Sequence, residues 1–304
     1  MKSEAAFIAC TEAALVDYSA GRSYYEGRIR PAMRKLRATI KLVLFFVLSV
    51  GFYLLWLIVN LFLLAFSRAA RWWRGLIFHA WARTMIRLLG MRLTVRGMPP
   101  RAPFFLVSNH LSYVDIIVYA ALLDCVFVAK SDIAHWPFFG LCARSFNTIF
   151  IDRSNRQDIP RVNALIERAR QTGWGVVLFP EGTSTKGAEV IPFRPSLLEP
   201  AAAAAWPVSY ASISYRTPPD ETPAHMAICW WGEMTFAPHL FELLQLRRFE
   251  AIVTFGAVTM QLDDRKLLAA RLQEAVQRIF IPVTAREDEC SPATHTAMHQ
   301  SGRS

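Results

Sequence analysis

The sequence predicts an α/β fold with a mixed, largely parallel sheet flanked by helices, preceded by a hydrophobic membrane helix or helix pair. Residues 42–67 carry no charged side chain, and after Pro99-Pro100 short β-rich runs alternate with helical segments. Such alternation is typical of a parallel sheet whose crossover helices cover its faces. We expect four parts: a polar segment at 1–37, a membrane-associated part at 38–90, the α/β domain at 91–282 and a disordered polar tail at 283–304.

The distribution of charge favours a membrane partner. The 304 residues are 53% apolar and carry a formal net charge of +10, which suits either nucleic acid or an anionic membrane. No Asp or Glu occurs between Glu26 and Asp115, whereas Arg and Lys flank the uncharged run on both sides. Each cation near an anionic leaflet gains about 1 kcal/mol. We therefore expect contact with a phospholipid surface and no nucleic-acid binding.

The cysteines and histidines predict neither a disulfide framework nor a metal site. The five cysteines are odd in number and widely scattered, and no histidine stands at ligand spacing from them. A reducing compartment is the simpler interpretation. The first 25 residues lack a basic start that leads into an apolar core, so we expect no secretory signal.

Residues 42–67 are long enough to enter a membrane. As a helix they would reach roughly 39 Å, more than the hydrocarbon layer of about 30 Å requires. Gly51 and Asn60 also permit a re-entrant or in-plane helix pair, and a buried helix of a soluble core is the remaining alternative. The following residues, 70–90, mix tryptophans with arginines, which is typical of the headgroup boundary. They predict an interfacial helix ending near Gly90, with ordinary core packing as the alternative.

Seven runs of the α/β domain predict strands, at 104–108, 125–129, 148–151, 175–179, 208–215, 226–231 and 251–258. One helix is predicted after Asp158, an N-cap candidate with Pro160 close behind it and Gly173 beyond its end. A second helix is predicted at 264–280, where apolar residues recur at helical spacing.

The run FLVSNHLSYVD joins a strand to a candidate general base. Asn109-His110 follows the apolar strand, and Asp115 comes five residues after the histidine. Ligands of parallel α/β sheets bind at the carboxyl ends of strands, and an imidazole is suited to take a proton near neutral pH. A carboxylate on the other ring nitrogen would fix the tautomer. Alternatively, Ser112 and Asp115 form only a capping box at a helix start. His110 is then a surface histidine, or a core histidine whose hydrogen bonds are made within the protein, and not a base.

Three further runs hold candidate binding residues. Pro180-Glu181-Gly182-Thr183 follows a buried strand, and the N–H groups of such a turn can bind an oxyanion, although a plain tight turn is the alternative. Arg153 and Arg156 leave another strand and can meet an anionic headgroup or coenzyme phosphates, or can simply be solvated. The run at 204–215 begins its strand at Trp206-Pro207, which can line an apolar groove or the sheet core.

Taken together, these runs resemble the glycerolipid acyltransferase family, whose type member is 1-acyl-glycerol-3-phosphate acyltransferase. The resemblance covers roughly residues 70–260. The HX4D signature is met by His110 through Asp115 and the FPEGT signature by residues 179–183, with the Phe150-Ile151-Asp152-Arg153 block between them. The resemblance implies direct transfer without an acyl-enzyme intermediate. His110 would take the proton, Asp115 would support it, and acyl-CoA or acyl-carrier protein would supply the thioester, with no bound cofactor and no metal.

The same resemblance implies which residues bind the substrate and where the chain lies. The expected substrate-binding residues are Asn109, Arg153, Glu181, Gly182, Thr183, Ser184 and Lys186. The family further implies a helix pair that can sit in one leaflet and a catalytic domain on the cytoplasmic face of the membrane. The lysolipid acceptor expected first is 1-acyl-sn-glycerol-3-phosphate, which would give phosphatidate.

Two departures from the family pattern leave the acceptor open. Ser184 stands where many members that use lysophosphatidate have arginine, and Asn147 stands where the second block usually opens with glycine. Lys186 could replace the missing charge. The run FPEGTSTKG with IPFRPSLLEPA resembles the lyso-ornithine-lipid branch equally well, so O-acylation of lyso-ornithine lipid is the alternative. Of other classes, a lipase is disfavoured because no G-x-S-x-G elbow occurs, and a non-catalytic lipid-binding protein is retained.

Overall fold

Two long helices precede the α/β domain. The computed structural model describes residues 31–136, 139–152 and 158–285. Helix α1 (Pro31–Phe62) begins seven residues before the predicted boundary at 38, and helix α2 (Ser67–Leu89) ends as predicted at Gly90. Gly90 adopts a left-handed φ of 73°, and its N–H bonds to the carbonyl of Arg87, which closes the last turn of α2.

The domain is built on one seven-stranded mixed sheet. The strands are β1 (Met91–Arg96), β2 (Phe105–Ser108), β3 (Cys125–Lys130), β4 (Ile149–Ile151), β5 (Gly175–Leu178), β6 (Val208–Arg216) and β7 (Phe249–Phe255). Their order is β1-β7-β6-β2-β5-β3-β4, and only the β6–β7 pair is antiparallel. The carboxyl ends of β2, β5 and β6 therefore meet at the same edge of the sheet, which agrees with the predicted fold class.

The structure corrects two strand predictions. The run at 226–231 is not a strand: helix α7 (Ala224–Ala227) begins after Pro223, and a loop continues to Trp231. The fixed φ of proline suits a helix start, and Ala227, Ile228 and Cys229 are buried without pairing to the sheet. Strand β1 was not predicted, because an edge strand with a largely exposed MRLTVR pattern lacks the apolar signal of the buried strands.

Seven further α-helices follow in the described residues: α3 (Val114–Leu122), α4 (Phe139–Ser145), α5 (Ile159–Gln171), α6 (Glu199–Ala203), α7, α8 (Phe236–Gln245) and α9 (Arg265–Ile279). Asp264 caps α9 as a side-chain acceptor from the N–H groups of Lys266 and Leu267, at 2.6 and 2.9 Å. Asp158 stands at the predicted N-cap of α5 but bonds instead to Asp152 N and to Arg161.

The two long helices form a hairpin that lies along the domain. The ammonium of Lys41 on α1 donates to the carbonyls of Leu89 and Leu246, at 3.1 and 2.8 Å, and so joins α1 to the carboxyl ends of α2 and α8. At the other end of the hairpin, Trp56 packs against Phe146, with 5.8 Å between ring centroids. Among the described helices, α1 is the one that is long and apolar enough to cross a membrane. Only 17% of its most hydrophobic stretch is buried against the rest of the protein.

Candidate active site

His110 and Asp115 lie side by side at the carboxyl edge of β2. The strand ends at Ser108, and a short loop carries His110 before α3 begins at Val114. Nδ1 of His110 lies 2.7 Å from Oδ2 of Asp115. Asp115 is completely buried, whereas the His110 side chain is 22% exposed. The histidine therefore bonds inward through Nδ1 and remains open to a substrate.

The Asp115 carboxylate is held by four donors. Its Oδ2 accepts from His110 Nδ1 and from the backbone N–H groups of Leu111 and Ser112, at 2.8 and 3.1 Å for the latter two. Its Oδ1 accepts from the hydroxyl of Tyr215 at 2.6 Å. The bond to Ser112 N is half of the capping box that the sequence suggested. One carboxylate thus both orders the start of α3 and orients the imidazole.

The His110 ring is also fixed by stacking. It lies on the ring of Phe179, with 4.3 Å between centroids and 16° between planes. With Nδ1–H donated to Asp115, the neutral ring leaves Nε2 as a proton acceptor, and Nε2 makes no hydrogen bond with the residues that the structure describes. A buried carboxylate behind such an imidazole stabilises the imidazolium formed when Nε2 takes a proton. The arrangement is suited to a general base.

Glu181 supports the backbone of the histidine loop. Its Oε2 accepts from His110 N at 2.8 Å and its Oε1 from Ile191 N at 3.1 Å, and the side chain is buried. Burial raises the pKa of Glu181 to about 8, against the two backbone N–H bonds, which act to lower it. The sequence assigned Glu181 to substrate binding, but the described contacts of both oxygens are to the protein backbone.

Asn109 is likewise engaged by the backbone. Its Nδ2 donates to the carbonyl of Ile213 at 2.9 Å, and its Oδ1 accepts from Ile213 N at 2.8 Å. Only 1% of the residue is exposed. The sequence assigned Asn109 to the substrate as well. In the structure its amide joins the end of β2 to the middle of β6, beside the catalytic loop.

The turn after β5 carries the remaining predicted binding residues. Gly182 has a φ of 77°, a conformation that suits glycine, and Thr183 is exposed. The Ser184 hydroxyl donates to the carbonyl of Trp230, and Nζ of Lys186 lies 5.9 Å from the ring centroid of Trp231. The structure brings this turn to the edge that holds His110, since Thr185 N donates to the His110 carbonyl at 3.1 Å. Arg153 and Arg156, on the predicted anion-binding strand end, lie outside the described residues.

Tyr215 is the site residue that the sequence reasoning missed. It lies near the end of β6, 1% exposed, and its hydroxyl meets Asp115 across 100 residues of sequence. Burial raises the pKa of the Tyr215 hydroxyl most, and the negative charge of the nearby Asp115 raises it further. The hydroxyl therefore keeps its proton and acts as a donor. A tyrosine inside a buried strand needs a hydrogen-bond partner for its hydroxyl, and this was the available signal.

An apolar cavity of about 210 Å³ lies between the helix hairpin and the α/β domain. Side chains from α1, α2, α3, α4 and α8 line it, among them Phe45, Trp81, Ile116, Phe139 and Leu240. Tyr113 and Trp230 also line it, so the cavity comes within three residues of His110 along the catalytic loop. Trp206 is not among the lining residues; it packs on Phe105 instead, which corresponds to the sheet-core alternative.

Among the described residues, no group of three or more His, Cys, Asp and Glu side chains is placed to hold a metal ion. None of the described cysteines is in a disulfide, and Cys125 and Cys229 are buried.

Comparisons with known proteins agree with this geometry. A family model described as Acyltransferase matches residues 92–215. Lyso-ornithine lipid O-acyltransferase from Rhodobacter capsulatus is 32% identical over 67% of this chain and 76% of the relative. 1-Acyl-sn-glycerol-3-phosphate acyltransferase from Neisseria meningitidis is 26% identical over 65% of this chain and 78% of the relative.

A solved structure supports the fold. The crystal structure of the 1-acyl-sn-glycerophosphate acyltransferase PlsC from Thermotoga maritima superposes with a TM-score of 0.60, covering 81% of this chain and 95% of that one at 19% identity. The fold, the matched family model and the relatives agree on one assignment. The chain belongs to the acyltransferase family and is an acyl-transferring enzyme of the kind that acylates lysolipids.

Proposed function

We propose that His110 is the general base of a direct acyl transfer from a thioester to a lysolipid hydroxyl. The observation that carries this proposal is the 2.7 Å contact between His110 Nδ1 and the buried Asp115 carboxylate. Nε2 takes the proton of the lysolipid hydroxyl as its oxygen attacks the thioester carbonyl. The C–S bond then breaks, and the leaving thiolate takes the proton back from Nε2. The products are an ester and a free thiol.

Glu181, Asn109 and Tyr215 act in this proposal as positioning residues. Glu181 holds the His110 N–H, and Asn109 holds the adjacent strand end on Ile213. Tyr215 holds the oxygen of Asp115 that does not face the histidine. Their contacts with the protein support this division of roles, in which substrate contact falls to the turn formed by Gly182, Thr183 and Ser184.

The acyl donor is proposed to be acyl-CoA or acyl-carrier protein, with its chain in the apolar cavity. The cavity is lined by aromatic and aliphatic side chains and comes close to the catalytic loop at Tyr113. Apolar walls with few polar groups suit a fatty acyl chain better than a headgroup. The thioester carbonyl would then lie near Nε2 of His110, at the polar edge of the sheet.

The helix hairpin is proposed to sit in the membrane with the catalytic domain on the cytoplasmic face. Val47, Leu55, Ile58 and Leu61 on α1 are between 47% and 65% exposed, which favours lipid as their surroundings. Because the hairpin is attached to the domain near both of its ends, we propose insertion into one leaflet. Exposed Trp72 on α2 suits the headgroup boundary. Basic residues around α1 support the cytoplasmic side.

For the acceptor, we propose lyso-ornithine lipid ahead of 1-acyl-sn-glycerol-3-phosphate, the reverse of the order first expected. The lyso-ornithine lipid O-acyltransferase relative is 32% identical, against 26% for the 1-acyl-sn-glycerol-3-phosphate acyltransferase relative. Ser184 supports the same order, because its hydroxyl is bound to Trp230 and offers no positive charge to a phosphate.

The test offers both acceptors to the purified protein in phospholipid vesicles, with labelled acyl-CoA or acyl-carrier protein as donor. We expect vesicle-bound enzyme to acylate lyso-ornithine lipid faster than 1-acyl-sn-glycerol-3-phosphate. Acylation of neither lipid would refute the proposed function. Release of free fatty acid without any acceptor would identify a hydrolase instead.

Replacing Tyr215 by phenylalanine is expected to lower kcat by about tenfold with little change in either KM. The variant removes one hydrogen bond to a charged carboxylate, a contact worth about 1.5–3 kcal/mol, of which a part is specific to the transition state. Steady-state kinetics measure the effect. Tyr119→Phe is the matched control, since that fully buried tyrosine donates to Ser108 at 2.6 Å and not to Asp115. Equal kcat losses in both variants would assign Tyr215 to stability alone.

A further inference from the structure

We propose that Arg194, with the backbone N–H groups of Thr183 and Ser184, forms the subsite for the anionic group of the acceptor headgroup. This inference rests on the proposed function, because it concerns the lysolipid bound beside His110. The ligand is a terminal oxyanion, a carboxylate or a phosphate, rather than the fatty chain.

The first observation is the position of Arg194. Its N–H donates to the carbonyl of Pro180 at 2.8 Å, which folds the chain back onto the turn after β5. A Cβ built on Gly182 would lie 2.7 Å from Nε of Arg194, so the guanidinium group covers that glycine. The residue before the glycine, Glu181, is bonded to His110 N. Arg194 therefore reaches the turn that contacts the catalytic loop.

The second observation concerns which donors at this turn are already bonded. Arg194 is exposed, and its guanidinium makes no hydrogen bond or ion pair with any residue that the structure describes. Within the same described ranges, the N–H groups of Thr183 and Ser184 donate to no acceptor, whereas Gly182 N and Thr185 N are both bonded. Two successive free N–H groups after a residue of positive φ form an anion-binding concavity. A planar guanidinium group adds a two-pronged donor for an oxyanion.

The third observation concerns the nearby charges. Burial keeps the pKa of Glu181 high, at about 8, so near neutral pH this carboxyl is largely protonated and does not cancel the charge of Arg194. The Ser184 hydroxyl donates to the Trp230 carbonyl, so its backbone N–H is the donor of this residue that remains for a ligand. Arg194 thus supplies the positive charge that position 184 lacks.

The experiment separates acceptor binding from turnover. The dissociation constant of each acceptor is measured by equilibrium titration with His110→Ala protein and with His110→Ala/Arg194→Ala protein, both unable to turn over. We expect the second substitution to weaken binding of the anionic acceptor by about tenfold, equivalent to about 1.4 kcal/mol. The uncharged acceptor, with its carboxylate as the methyl ester or its phosphate as the dimethyl ester, should bind both proteins equally. Equal affinity of the two proteins for the anionic acceptor would overturn the proposal, even if the enzyme is active.

Kinetics with otherwise wild-type protein distinguish the acceptor from the donor. Arg194→Ala is expected to raise KM for the acceptor and leave KM for acyl-CoA within about twofold, while Arg194→Lys restores part of the loss because it keeps the charge without the planar fork. Arg101→Ala is the control, since Arg101 is exposed and precedes β2 at the opposite edge of the sheet. A rise confined to KM for acyl-CoA would assign Arg194 to coenzyme phosphates and refute the acceptor subsite. An active wild type distinguishes failure of this subsite from failure of the proposed function.

Discussion

Replacing His110 by alanine is expected to lower kcat/KM for acyl transfer by about 10² to 10⁴, the usual loss when a general base is removed. Nε2 is the proton acceptor in the proposed reaction, and the backbone around it makes its own bonds: His110 N donates to Glu181 and the His110 carbonyl accepts from Thr185 N. The loop should therefore survive the substitution. The measurement is steady-state transfer to the preferred acceptor, with thermal unfolding followed in parallel.

The matched control is His135→Ala, an exposed histidine in the short helical turn after β3. It should transfer acyl groups at the wild-type rate. An alanine variant at residue 110 that folds normally and keeps more than about a tenth of the wild-type kcat/KM would remove this histidine from the chemistry. The enzyme would then use another base.

The closeness of His110 and Asp115 in the sequence explains why their pairing could be predicted. His110 and Asp115 are five residues apart, and the turn between β2 and α3 alone brings them together. The sequence also shows polar residues directly after the apolar run of β2. The edge of the sheet that holds these residues could therefore be predicted as well. The alternative interpretation as a cap was also partly correct, because Asp115 bonds to Ser112 N. The two interpretations describe different bonds of the same carboxylate.

The positioning residues depend on strand order, which the sequence does not contain. Glu181 reaches His110 N because β5 is one neighbour of β2, and Tyr215 reaches Asp115 because β6 is the other. These contacts join residues 71 and 100 positions apart. The resemblance carried by the FPEGT motif assigns Glu181 to substrate binding. Only the sheet order shows that both of its oxygens serve backbone N–H groups.

A short apolar run accounts for the strand prediction that the structure contradicts. The run at 226–231 has the composition of a buried strand, yet it forms the end of α7 and a loop that contacts the residues after His110. Trp230 N donates to Leu111 O at 2.8 Å, which uses the backbone group that a strand would have given to the sheet. Periodicity cannot separate a buried strand from a buried helix end over so few residues. Tertiary contacts decide between them.

Replacing Asp115 by asparagine is expected to lower kcat by about 10³, with a smaller effect on either KM. The loss of a buried carboxylate behind a catalytic imidazole costs up to about 10⁴ where the histidine tautomer is also lost. Here the asparagine oxygen can still face His110, Leu111 and Ser112, since all three are donors, and its NH2 can turn to the Tyr215 oxygen. The tautomer is then kept. What disappears is the negative charge that stabilises the imidazolium.

A double-mutant cycle can measure whether Tyr215 acts on the reaction through the Asp115 carboxylate. The Tyr215 hydroxyl bonds to Oδ1 of Asp115 and is linked to His110 through that carboxylate. The effect of Tyr215 on kcat should therefore depend on the carboxylate. In the Asp115→Asn background, Tyr215→Phe should lower kcat by less than about twofold, against about tenfold in the wild type. Residues that act through one shared group are non-additive, whereas independent contributions multiply. If the two losses multiply, Tyr215 acts on the reaction by a route that bypasses Asp115, and the hydrogen bond between them is structural only.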